Sequence, residues 1–493
     1  MMTTATEFQG RRWIALALLC VAQFVVVLDA SIVNVALPSI GTALNFSQDS
    51  LSWVVNAYVL TFGGFLLLGG RLADILGRRR VFMFGLVLFA LASLAGGLSQ
   101  TDTQLIIARA IQGLGAAILS PAALSIVTTT FSDGSERNKA LGVWGAVAGS
   151  GGAAGVLLGG VLTQYLGWEW VLWVNVPIGL AAAAIAPRLV AESRSESLTR
   201  AFDFAGAASV TLGISTLVYG VVDATNAGWG SAQTIGLLSA SAILLAVFVA
   251  VELRSDAPLV PFGIFRRRTL TGANVVGLLT GASLFSMFFF ISLYMQQVLG
   301  YSAIRTGLSY LPLALMIIVA AGVASQLVTR IGFKPVLAAG MALISGGLVW
   351  FSQVSVGGSF MGDILGPSLV AAAGLGFAFV PQTIAAVSGV ANREAGLASG
   401  LINASQQVGG AIGLAILATI ANSRTDHLMS VAHGNPAALP GALTDGFQAA
   451  FLGGAAIAAL GLIATLVLIR GRDSRAHAEL EQASGAELAR GAA

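Results

Sequence analysis

Charge is what this sequence has least of. Only 10% of its 493 residues are Asp, Glu, Lys or Arg, 56% are hydrophobic, and the mean hydropathy is +0.86. A water-soluble domain carries about 25% charged residues. A chain this poor in charge cannot cover a surface facing water, so lipid must be the solvent for most of it. No long stretch reads as a soluble domain, which leaves no place for an appended catalytic head. Cysteine is nearly absent too: Cys20 stands alone, so there is no intrachain disulfide and no Cys/His ligand set. The three histidines, His427, His433 and His477, all fall in polar segments, which argues against haem, zinc or a histidine-based centre inside the membrane. The two lysines, Lys139 and Lys334, follow Asn138 and Phe333. A phosphate-binding loop needs Gly-Lys, so ATP hydrolysis by this polypeptide is not expected, nor is any metal or cofactor.

What the chain has instead is long apolar runs. A helix crossing the hydrocarbon core needs about 17–25 residues, and fourteen such runs can be marked, from 14–37 to 447–470, with the ninth near 270–297 and the thirteenth near 397–420. Each must be helical, because lipid offers the backbone no hydrogen-bond partner. The first run is long enough to span and has no small-residue cleavage site after it, so it reads as a retained helix. Twenty-two of the 25 lysines and arginines fall in alternate loops, among them Arg78, Arg79, Arg80, Arg200, Arg266 and Arg393. Only Arg305 and Arg424 lie in the others, and Arg109 lies within a run. The positive-inside rule then puts both termini in the cytoplasm and His427–Thr444 outside. The basic balance serves anionic lipid and calls for no nucleic acid.

A polar, arginine-rich link follows the sixth run and a second basic link follows the eighth. The expected fold is an all-α membrane bundle of about fourteen helices arranged 6+2+6. Its parts are an N-terminal half at 1–187, a two-helix insert within 188–268, a C-terminal half at 269–472 and a solvated, partly helical tail at 473–493. An internal echo supports the halves: Leu72-Ala-Asp-Ile-Leu-Gly77-Arg-Arg79 matches Leu327-Val-Thr-Arg-Ile-Gly332-Phe-Lys334 at the corresponding loop. Repeated halves around a central site are the usual plan of secondary transporters.

Four segments carry a family resemblance. Gly70-Arg-Leu-Ala-Asp74-Ile-Leu-Gly77-Arg78-Arg-Arg80 resembles the loop signature of the major facilitator superfamily. Leu28-Asp29-Ala-Ser-Ile-Val-Asn34-Val-Ala-Leu-Pro38 and Arg109-Ala-Ile-Gln112-Gly113-Leu-Gly115 are similar to the first- and fourth-span signatures of its fourteen-helix drug:proton antiporters. Gly142, Gly151, Gly155, Gly159 and Gly160 match the glycine spacing of the antiporter motif in the fifth span. Val156 stands where that family has proline, which removes a source of helix kinking. The resemblance implies a multidrug or antibiotic exporter of the bacterial inner membrane that moves protons inward.

Read on their own chemistry, these residues agree. Asp29 is the one acid deep within a run, and Asp223 and Glu252 lie at span ends. A carboxylate in hydrocarbon must be protonated, paired or beside water. Desolvation penalises its charged form, which makes a deep acid a natural proton carrier. At 1.5 Å per residue Asp29 lies about 13 Å and Arg109 about 8 Å from the outer surface, close enough in depth to interact. A purely structural ion pair is the competing reading. The glycines equally serve simple helix packing, and the loop cations serve topology.

For substrate, the amides, aromatics and methionine within the runs are candidates: Asn34, Tyr58, Gln112, Trp144, Phe285, Met287, Phe288, Gln297, Gln382, Asn403 and Gln406. A mostly apolar pocket with few polar anchors suits amphipathic organic compounds. A narrow-range metabolite, siderophore or lipid exporter would use the same scaffold. A channel would want a polar-lined helix recurring around a pore, a sensor an output domain, and an enzyme His, Cys or paired carboxylates at depth. The expected partners are a small-molecule substrate, protons and the lipid bilayer, with the chain acting as a monomer.

Overall fold

The computed structural model describes residues 2–46, 48–51, 53–131, 135–194, 203–255, 258–388, 390 and 394–491. Arg200 and Arg393, counted above among the cytoplasmic cations, lie outside the described residues. Every regular element among those described is helical. Thirteen helices are long and apolar enough to span, or fourteen when a bent pair is counted as one span.

In chain order the spans are α1 (Met2–Ala43), α2 (Trp53–Leu76), α3 (Arg78–Gly97), α4 (Asp102–Thr130), α5 (Ser135–Tyr165) and α6 (Trp170–Leu189). The inserted pair is α7 (Phe204–Ala227) and α8 (Ala232–Glu252). The second set is α9 (Arg268–Leu293), α10 (Leu311–Ile331), α11 (Phe333–Phe351), α12 (Leu365–Val387), α13 (Ala395–Val431) and α14 (Leu439–Leu468). Polar side chains start several of them: Thr101 accepts from Gln104 N, Asp203 from Gly206 N and Ser231 from Thr234 N, each meeting an N–H that the first turn leaves open. Two spans outrun their apolar windows. α13 continues to Val431 and α14 begins at Leu439, so most of the segment expected outside is helical extension, with a short turn at 432–438.

The internal echo is a three-dimensional repeat. Gly77 and Gly332 both have left-handed φ, 109° and 82°, a geometry that favours glycine at a tight turn between helices. Two residues on, Arg79 Nη1 reaches the carbonyls of Pro187 and Val190 at the end of α6, and Lys334 Nζ reaches those of Leu466 and Ile469 at the end of α14. A cation on the open carbonyls of a helix C-terminus satisfies them and complements the helix dipole.

The same register continues along α2 and α10, and each grips a helix of the other half. A Cβ on Gly400 of α13 would lie 3.1 Å from Leu66 O, and one on Gly142 of α5 would lie 3.6 Å from the corresponding Ala321 O. Asp74 accepts from the first turn of α13, while the corresponding Thr329 bonds Asn138 Nδ2 near the start of α5 at 3.1 Å. Both clasps sit at the end of the bundle that carries the arginine-rich loops. The inserted α7 packs on α8, where Ser241 Oγ donates to Gly213 O, and the turn between them reaches α13 through Trp229 Nε1 to Thr419 Oγ1 at 2.8 Å.

The tail departs from the expectation of a solvated end. Residues Gly471–Gly491 form α15, whose first turns dock on the second half. Thr269 Oγ1 donates to Asp473 at 2.5 Å, Lys334 N donates to the buried Ser474 Oγ, and the His477 ring lies 5.8 Å from that of Phe333. Ser, Ala and His at these positions fit a helix face against the loop, which composition alone does not distinguish from a solvated helix.

Candidate functional site

Asp29 and Arg109 meet. Both are buried, at 0% and 1% exposure, and Arg109 Nη1 lies 2.6 Å from Asp29 Oδ2. A charge taken this far from water needs full compensation, and the surrounding helices supply it. Gln112, one turn along α4, donates Nε2 to Asp29 Oδ1 at 2.7 Å and accepts from Arg109 Nη1 at 2.6 Å. Asn175 Nδ2, from α6, donates to the same Oδ1 at 2.8 Å. Ser93 Oγ of α3 accepts from Gln112 and, at 3.3 Å, from Asn175. Arg109 spends its Nε on Val54 O at 3.0 Å, and its guanidinium carbon lies 4.4 Å from the Tyr58 ring centroid, a cation–π arrangement. Tyr58 Oη in turn donates to Val26 O on α1. Five helices thus converge on one carboxylate.

Local sequence explains two of the placements. Arg109 and Gln112 are three apart and share one face of α4. α6 is broken at Val174 into Trp170–Trp173 and Asn175–Leu189, and Pro177 lacks the N–H that would continue the ladder. Asn175 directly follows this interruption and is fully buried. Asn175 and Ser93 were missed in the sequence. Asn175 carried a usable signal, since it is an amide within a spanning run like those singled out, whereas a serine in a membrane helix is too common to mark.

The fifth-span glycines divide between two neighbours. A Cβ at Gly155 would meet Ser31 Oγ and lie 2.7 Å from Leu28 O. One at Gly151 would lie 2.9 Å from Val27, and one at Gly159 2.7 Å from Ile32 O. These three let α5 lie against the turn of α1 that carries Asp29. Gly142 faces Ser325 of the other half instead, at 2.8 Å, and Gly160 is buried. The replacement of proline by Val156 does not leave the helix straight: Glu136–Gly152 and Ala154–Tyr165 meet at 41°. The Ser150-Gly151-Gly152 run supplies the flexibility, as Gly/Ser pairs do at other kinks.

At the arginine-rich end Asp74 is fully buried. Its Oδ1 takes Arg78 Nη2 at 2.7 Å and Gly396 N at 3.2 Å, and its Oδ2 takes Leu397 N at 3.1 Å. The carboxylate therefore caps α13, where the helix dipole favours negative charge. Gly70 allows the approach, since a Cβ there would strike Gly396 O. Arg78 N donates to Ser193 O, and Arg79 N to Glu192.

The substrate candidates scatter. Tyr58 and Gln112 are built into the carboxylate network and do not face an open pocket. Trp144 and Met287 are core residues, and Phe285 is exposed. Asn34 is exposed and bonds Ala30 O one turn back, and Gln297 is exposed in the wide turn Tyr294–Val298. Asn403 bonds Ser399 O, and Gln406 is half-buried nearby. Phe288 stacks on Tyr310, with centroids 5.4 Å apart, and faces Gly152 across the seam between the halves. Gln382 is fully buried with neither amide atom hydrogen-bonded among the described residues. A surface cavity of about 480 Å³ near Gln353, Leu428, Asp445 and Gln448 contains none of these candidates.

A polytopic helical bundle of two repeated halves, clasped at one end and holding a buried carboxylate–arginine pair in the first, is the architecture of a membrane transporter. Residues 19–414 match the family described as Major Facilitator Superfamily, and the chain belongs to it. It is 44% identical over 436 residues to the cephamycin export protein CmcT of Amycolatopsis lactamdurans, covering 88% of each chain. It is 38% identical to the puromycin resistance protein pur8 of Streptomyces alboniger, over 96% of this chain and 94% of that one. The tetracenomycin C resistance and export protein of Streptomyces glaucescens is 35% identical, over 86% and 78%. Among solved structures, the human organic anion transporter MFSD10 superposes with a TM-score of 0.63 at 15% identity, covering 92% of this chain and 99% of that one. The proton:xylose symporter XylE gives 0.63 at 13%, over 94% and 96%. These two likenesses concern the fold alone.

Proposed function

We propose that this chain exports small amphipathic organic compounds of the antibiotic class, driven by proton influx through Asp29. The observation that carries the reading is the fully buried Asp29–Arg109 pair, reinforced by relatives named for the export of, or resistance to, cephamycin, puromycin and tetracenomycin. One proton crossing 100 mV supplies about 2.3 kcal/mol, and moving a neutral compound up a tenfold gradient costs about 1.4 kcal/mol. One carboxyl therefore suffices as the coupling element.

In the conformation described, the arginine-rich end is closed by Asp74 on α13 and by Thr329 on Asn138. Asp29 is ionised and held by Arg109, Gln112 and Asn175. A proton arriving from outside neutralises Asp29 and ends its ion pairing with Arg109, which stays bonded to Gln112 and to Val54 O. Loss of that pairing loosens α1 from α4 and shifts α1 against the glycine face of α5, a helix that also forms part of the clasp. Opening toward the cytoplasm lets Asp29 discharge and substrate enter, and the return step carries substrate out. In this reading the chain is not an enzyme. It lies in the bacterial plasma membrane with both termini cytoplasmic, works as a monomer, and has halves bounded near 1–187 and 269–472.

The test is export by reconstituted vesicles across a panel of antibiotics. Uphill movement of at least one compound that follows an imposed pH gradient, and stops when a protonophore collapses it, is expected. Accumulation that continues after collapse contradicts proton coupling.

A further inference from the structure

Every contact at Asp29 suits an ionised carboxylate. Oδ1 takes N–H groups from Gln112 and Asn175, and Oδ2 takes Arg109. A carboxylic acid differs by one O–H, which must find an acceptor once the proton is on Oδ1. The acceptors at hand are engaged. Gln112 Oε1 holds Arg109, Ser93 Oγ holds Gln112 and Asn175, and Val54 O holds Arg109. One acceptor in the cluster has no hydrogen-bond partner among the described residues: Oδ1 of Asn175, on a side chain that is itself 0% exposed. A buried acceptor left open costs free energy and calls for an explanation.

We infer that Asn175 is a positioning residue that serves both protonation states of Asp29, donating its amide to the carboxylate and, turned half a revolution about Cβ–Cγ, accepting from the acid. It is the amide free to turn, because Gln112 is held at both its oxygen and its nitrogen while Asn175 is held only at Nδ2. The charged and titratable groups facing Asp29 are Arg109 of α4 and Tyr58 of α2, whereas α3, α5 and α6 present Ser93, glycine and Asn175, none of which titrates. The turn of one amide thus accompanies the uptake of one proton. The inference rests on Asp29 as the proton carrier.

Infrared difference spectra of the reconstituted protein between alkaline and acid buffer, with the asparagine amides labelled with nitrogen-15, test both layers separately. The wild-type spectrum should contain a carboxylic-acid component that Asp29→Asn lacks, the remaining acids titrating in both proteins, together with a label-sensitive side-chain amide band. The amide band should vanish in Asn175→Leu, which keeps the branched shape and removes donor and acceptor. An acid band in wild-type protein without any label-sensitive amide band overturns the role of Asn175 and needs no variant to fold. So does an amide band that persists in Asn175→Leu. A carboxylic-acid signal that is the same in wild-type protein and in Asp29→Asn overturns the assignment of the carrier itself.

Discussion

Replacing Asp74 by Asn keeps the shape of the clasp and removes its charge. The carboxylate receives Arg78 and two first-turn N–H groups of α13, so it is acceptor on all sides. An amide must turn its NH2 toward one of those donors. Hydrogen bonds to charged groups contribute about 1.5–3 kcal/mol each, a charge at a helix N-terminus up to about 2 kcal/mol, and breaking a buried pair costs about 3–5 kcal/mol. These terms overlap, and about 3 kcal/mol is a fair net loss for the closed state, equivalent to roughly a hundredfold shift toward opening. Leu67 reports it, being 5% exposed where α2 meets Gly400 of α13. With Cys20→Ala as background, a cysteine at position 67 should react with a soluble maleimide about a hundredfold faster when Asp74 is Asn, by the same arithmetic. A rate unchanged within about twofold, a difference under 0.5 kcal/mol, would refute the clasp as a determinant of closure.

The repeat makes Thr329–Asn138 a second clasp. Cysteines at both positions, oxidised to a disulfide, should arrest transport until reduced, and normal export by the cross-linked protein would count against it. Gly155→Leu should inactivate by driving a side chain into Leu28 O and Ser31, while Val156→Pro should be tolerated because its i−4 carbonyl belongs to Gly152, where α5 already bends. Comparable loss in the two variants, at equal expression, would show that the bend is not where the chain absorbs a proline. The tail should be pH-sensitive. Burial, and then the Arg137 charge, push His477 down to about 4 from 6.5, so the docked helix favours neutral imidazole. That contribution is whole above pH 6.5 and is lost as pH falls toward 4. Protease cleavage within α15 should accelerate over that window and lose its pH dependence in His477→Gln, and a flat profile in the parent would refute the docking.

The elements legible in the sequence were those that lipid itself enforces. Apolar run length marked the spans, and arginine placement marked the end where both clasps lie. Asp29 and Arg109 stood out because charge in hydrocarbon is costly enough to need a reason. Their contact did not, since depth along two helices says nothing about which faces turn together. Gln112 read as a pocket amide because an amide in a span has two possible employers, substrate or a buried charge, and only packing decides. Asn175 was legible in kind, as an amide within a spanning run, but its facing was not, and Ser93 was hidden by its ordinariness. The docked tail escaped notice because alanine, serine and glutamate suit a solvated helix as well as a packed one.

The most direct test is proton movement by Asp29→Asn in vesicles carrying an internal pH dye. Substrate added to wild-type protein should move protons against its own flux. The Asn variant should move none, while gradient-free exchange of substrate survives only in part, because the substitution preserves shape but removes the titrating group and the charge that pairs with Arg109. Substrate-linked proton movement that persists undiminished in the variant would contradict the account and place the coupling elsewhere.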